Sequence, residues 1–91
     1  MPRSRLALVG CTVPTKGPWI RSRGNETRVR IQGLEQGSRI ISHIEIDGVI
    51  QPPIVLTEDG SWPLPDRWTR ISFTKQCVSD GSPTQIELLV A

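Results

Sequence analysis

Few side chains in this chain are of a type that could do chemistry, and their spacing decides what they could do. His43 is the single histidine, with Glu45 two residues on along an alternating stretch, RIISHIEID. Residues i and i+2 of a strand share a face, but an open sheet face is wet and gives the pair no useful setting for acid–base work. No nucleophile with a base beside it, no phosphate-cradling glycine loop and no run of metal-ligand spacing accompanies the pair. Cys11 and Cys77 are the two cysteines. They are too few for a disulfide scaffold and are expected as free, strand-buried thiols. Asp47-Gly48 and Asp59-Gly60 lack the repeated oxygen ligands of a calcium loop and are expected as turns. Asn25-Glu26-Thr27 matches the glycosylation sequon, and the four-residue apolar run after the N-terminal arginines is too short for a secretory leader. No catalytic residue, cofactor or metal is expected, and the protein is expected not to be an enzyme.

Arginine is the residue type that stands out. The stretch WIRSRGNETRVRI, residues 19–31, sets four arginines around Gly24-Asn25. Seven of the eleven cations lie in the first thirty residues, where Glu26 is the only acid, although the net charge is only +2. If Gly24-Asn25 is a two-residue turn, Ile20 pairs with Val29 and Arg21 with Arg28. One face of that hairpin would then carry Ile20, Ser22, Thr27, Val29 and Ile31. The other would carry Trp19, Arg21, Arg23, Glu26, Arg28 and Arg30. An arginine surface beside an exposed tryptophan suits contact with an acidic protein surface, because guanidinium both forks to carboxylates and stacks on indole. The competing expectation is a solvated face neutralised within the protein by Glu26, Glu45 and Asp47. Nucleic acid is disfavoured, since only Trp19 stands beside the cations as a stacking platform.

The elements that must position these residues are short strands. The 91 residues suffice for one domain, 1–91, with residues 1–5 expected as a flexible arm carrying Arg3 and Arg5. Eight glycines and eight prolines punctuate runs of Ile, Val and Leu, and no window shows a helical stripe. Leu6 to Val13 is expected as a strand. In RIISHIEID, Ile40, Ser42, Ile44 and Ile46 alternate with Ile41, His43, Glu45 and Asp47, and Asp47-Gly48 is the best hairpin turn in the chain. Val49-Ile50 begins a return that Pro52-Pro53 interrupts and Ile54 to Thr57 resumes. Trp62-Pro63-Leu64-Pro65-Asp66 is expected as a rigid connection, with one of Trp62 and Trp68 in the core. Trp68 to Lys75 and Gln85 to Ala91 supply the last strands. Seven or eight short strands with turn signals every ~8–12 residues predict an all-β, single antiparallel β-sandwich, Ig-like or jelly-roll-like. No segment approaches the length of a membrane span, and no membrane partner is expected.

The layout GLEQG, an Ile-rich strand, Asp-Gly, TEDGSWPLPDRWTRISF and then DGSPTQIELLVA resembles small Ig-like β-sandwich proteins of tailed bacteriophage particles, of the capsid decoration (cement) or fibre-attachment type. It spans roughly Val29 to Ala91; the basic N-terminal third has no counterpart. The resemblance implies a non-enzymatic virion protein, made in the host cytoplasm, that docks in many copies or as an oligomer on the major capsid protein or another virion protein. Arg3, Arg5, Trp19, Arg21, Arg23, Arg28 and Arg30 would form the contact. A tail, neck or fibre-attachment role is the alternative within that class. A nucleic-acid- or glycan-binding module is the alternative outside it.

Overall fold

The structure is a computed structural model and describes the backbone of residues 4–8, 15–76 and 84–90, with side chains from 17 onward in those ranges. Within them lie ten strand segments: β1 (Ser4–Leu8), β2 (Thr15–Lys16), β3 (Ile20–Arg21), β4 (Glu26–Gln32), β5 (Arg39–Ile46), β6 (Val49–Ile50), β7 (Ile54–Leu56), β8 (Gly60–Pro63), β9 (Arg70–Gln76) and β10 (Thr84–Val90). Two antiparallel sheets result. Sheet one runs β1-β10-β4-β8; sheet two has β9 and β5 at its centre, β2 and β3 along one edge, and β6 and β7 along the other.

Because β2 with β3, and β6 with β7, each fill one edge position, the ten segments occupy eight places. Numbered along the chain, place one pairs with eight, two with seven, three with six and four with five. That is one long antiparallel ribbon, wrapped so that successive pairs alternate between the sheets. Of the two sandwich arrangements expected, this is the jelly roll. An immunoglobulin order would instead set the first strand beside the second.

The core is the inner residues of both sheets, and alternation explains most of it. Ile40, Ser42 and Ile44 of β5 face Val29 and Ile31 of β4 and Ile86 and Leu88 of β10, with Ile71, Phe73 and Trp68 filling the middle. Trp68 is the core tryptophan and donates Nε1–H to the Glu26 carbonyl at 3.0 Å. Lys75 continues the inward series of β9 and is fully buried, opposite Ile40 in the register. Its ammonium reaches Glu35 Oε1, 2.7 Å away in the loop after β4. Asp47-Gly48 makes the expected two-residue hairpin, with φ 49° and 83°, the left-handed pair that a type I′ turn demands.

Four expectations are corrected. Gly24-Asn25 is not a hairpin tip. Ile20 and Arg21 pair with Ile71 and Arg70 in sheet two, whereas β4 lies in sheet one, so residues 22–25 carry the chain from one layer to the other. Within β4 the register skips Thr27, as Leu89 faces Arg28 and Val90 faces Glu26. This bulge inverts the faces before it. Thr27 is exposed, and Glu26, expected outside, is 4% exposed. In addition, Trp62 and Pro63 belong to a strand rather than a connection. Among the described residues β8 pairs only with β4, an edge position where proline's missing N–H costs no ladder bond. The expected arm loses Ser4 and Arg5 to β1. Residues 1–3, Cys11 and Cys77 lie outside the described residues.

Candidate functional site

The expected arginine surface is divided between the layers. Arg21 stands opposite Arg70 on the outer face of sheet two. Trp19, just before β3, lies under the Arg70 guanidinium, 5.0 Å from its ring centroid, and stays 44% exposed. Arg28 and Arg30 project from the outer face of sheet one, on the opposite side of the sandwich. Arg28 Nε donates to Ser61 Oγ at 2.9 Å and Nη2 to the Ser61 carbonyl at 3.1 Å. Arg30 Nη2 meets Glu87 Oε1 at 2.6 Å. Arg23 sits in the crossover, where its backbone N–H, not its guanidinium, donates to Glu26 Oε1 at 2.9 Å. Arg5 is known only by its backbone place opposite Glu87, and Arg3 lies outside the described residues. The structure therefore does not bring the seven residues together, and Arg28 and Arg30 are engaged by β8 and β10.

The pairings on sheet two differ from those expected for a hairpin. Glu45 takes a forked pair from Arg70, Nε to Oε2 at 2.8 Å and Nη2 to Oε1 at 2.7 Å. These hydrogen bonds hold the Glu45 carboxyl below its usual range and push the Arg70 guanidinium upward. His43 is thus left without its carboxylate neighbour. It lies half-buried on the outer face, with Nε2 3.4 Å from Thr74 Oγ1. His43, Trp19, Ile50 and Ser72 line an open groove of about 400 Å³, completed by Gly17 and Pro18. Among the described residues, no group of three or more His, Cys, Asp or Glu could hold a metal ion.

No known protein family, curated protein or solved structure matches this chain.

The surface most out of keeping with water is apolar, and charge-based reasoning overlooked it. Along the free edge of sheet two, Val49 is 61% exposed, Ile50 55%, Ile54 46% and Val55 49%, with Pro52 and Pro53 exposed between them. Val55 faces Ile41 in the register and Ile50 faces Glu45, which puts both on the outer face; Val49 and Ile54 take the inner side. Both sides of this edge are therefore aliphatic. The signal is in the sequence. VIQPPIVL lacks the polar alternation of its partner strand, and a proline pair confines such a segment to an edge. An edge strand with aliphatic side chains on both faces is an interaction liability unless something covers it.

Proposed function

We propose that the protein is a non-enzymatic structural component of a bacteriophage particle, a capsid decoration protein that docks in many copies on coat subunits. The observation that carries this is the aliphatic edge from Val49 to Val55. Two things support the setting: the layout resemblance over Val29 to Ala91, and a jelly-roll order that recurs among viral capsid domains. Each of the four half-exposed side chains would gain about 1 kcal/mol on burial. Together that is about 4 kcal/mol, near the low end of the cost of association. One copy would hold weakly, and a repeating shell that engages several copies would hold well. The divided arginines become rim contacts on such a shell rather than its anchor, and among the described side chains they form no continuous basic track for nucleic acid.

The test is co-sedimentation with purified tailless shells. Val49→Asp with Val55→Asp changes two exposed positions, so folding stability should move by less than about 0.5 kcal/mol each. Occupancy on the shell should fall at least tenfold. Full occupancy by the double variant would overturn the docking surface, and binding to tails but not shells would move the protein to a tail or neck role.

A second reading has its own observation. The groove beneath Trp19, with His43 and Ser72 in its wall, has the exposed indole and polar lining of a sugar platform, and lectins also use jelly rolls. Retention on a glycan array that Trp19→Ala abolishes would favour it.

A further inference from the structure

The two sheets do not close tightly on the side where β7 and β8 are the edges. A half-open cavity of about 210 Å³ lies between them, walled by Val29 and Trp62 of sheet one and by Ser42, Ile44, Ile71 and half-exposed Ile54 of sheet two. Well-packed interiors leave few voids larger than a water molecule. This one exceeds the roughly 150 Å³ engineered cavity that stays dry and takes up benzene. It is smaller than the roughly 300 Å³ at which drug-sized pockets begin.

One wall residue is out of character. Ser42 occupies the inward register of β5 between Ile40 and Ile44 and is 3% exposed. Its hydroxyl has no hydrogen-bond partner among the described residues. A valine or alanine would suit this position better in an empty core, since a buried hydroxyl without a partner is destabilising. Water answers poorly, because a buried water needs about two to four polar partners and these walls are aliphatic and aromatic. A molecule with an apolar body and a single polar atom satisfies both walls and hydroxyl.

We propose that the cavity between β7 and β8 binds a small apolar molecule, of one aromatic ring or a short aliphatic chain, carrying one oxygen that hydrogen-bonds Ser42 Oγ. The site shares Ile54 with the docking edge, but neither Val49 nor Val55, the two positions changed in the docking test, lines it. Its failure would leave the docking reading standing, and the reverse.

Phenol and toluene are the probes, titrated at millimolar concentration into the full chain with methyl NMR of Ile44 and Ile71 and fluorescence of Trp62. Both ligands should shift the methyl signals, and phenol should bind about five- to tenfold more tightly, the range of one hydrogen bond. Ser42→Ala should erase that preference while leaving toluene binding in place. Ile54→Trp, at a half-exposed position, should exclude both ligands without loss of the fold. Absent methyl shifts with either probe would overturn the proposal. So would equal affinities in the unmodified protein, which would mark the cavity as a hole for a partner's apolar side chain. A phenol preference that survives Ser42→Ala would overturn it too.

Discussion

Glu35→Ala should be among the most damaging single changes to a loop residue in this protein. Lys75 is fully buried on the inward side of a central strand, and its ammonium is held by Glu35 Oε1 at 2.7 Å, while the Glu35 side chain remains 28% exposed. Taking one partner from a buried ion pair generally costs about 3–5 kcal/mol, because the remaining charge has lost both water and its counter-ion. Lys75 has a further interaction, so the lower end, about 3 kcal/mol, is expected. Against a total of about 5–14 kcal/mol for 91 residues, that is a large share. The melting temperature should drop by about 12–24 °C. Lys75→Met keeps the length of the side chain and removes the charge. Glu35, at the rim, can then be hydrated, and stability should stay within about 1 kcal/mol of the unmodified protein. Urea denaturation of both single variants and the double variant closes the cycle. Lys75→Met with Glu35→Ala should resemble Lys75→Met alone, a coupling of about 2–3 kcal/mol. Strictly additive effects, or a Glu35→Ala cost below about 0.5 kcal/mol, would refute the claim that the buried ammonium depends on Glu35.

Acid should weaken the fold through the same group. Hydrogen bonds from Lys75 and Arg70 hold Glu35 and Glu45 below the usual carboxyl value of 4.5, so their contributions are complete above that pH and vanish as it falls through the lowered folded values. The urea midpoint should be flat down to about pH 5 and then fall, with a shallower fall in Glu35→Gln and in Glu45→Gln; unchanged slopes would contradict the assignment. Trp68→Phe removes the donor to the buried Glu26 carbonyl and a little packing, and should cost about 2 kcal/mol in a thermal melt. A loss under about 0.5 kcal/mol would mean that another donor replaces it.

What the chain displays locally, it displays well. RIISHIEID sorts its faces as alternation requires, and Asp47-Gly48 turns as its left-handed φ values demand. Partner choice is different in kind. Nothing near Gly24 says that Ile20 will lie beside Ile71, fifty-one positions on, rather than Val29. Both pairings bury the same isoleucine, and only the wrapping of the whole ribbon separates them. The extra residue at Thr27 is equally silent, since a one-residue bulge leaves composition untouched and still exchanges the environments of Glu26 and Thr27. That is why the arginines were placed outside correctly and yet on one face wrongly. Exposure of the Val49–Val55 segment was hidden for a related reason. An aliphatic run reads alike in a central strand and at an edge, and only the proline pair hinted at the edge.

Strand β10 lies between β1 and β4, although it is the last of the described strands in chain order. Until it emerges, β1 lacks its partner among the described strands and one edge of β4 is unpaired. A nascent chain can therefore pair β4 with β8 but cannot complete sheet one before β10 is made. Closure of sheet one must wait for β10, whose Leu88 pairs with Ser4 at the far end of the described chain, and it carries the slow kinetics that such distant pairings impose. During that interval the aliphatic segment from Val49 to Val55 has been made and is uncovered. A holding chaperone would find its best target there.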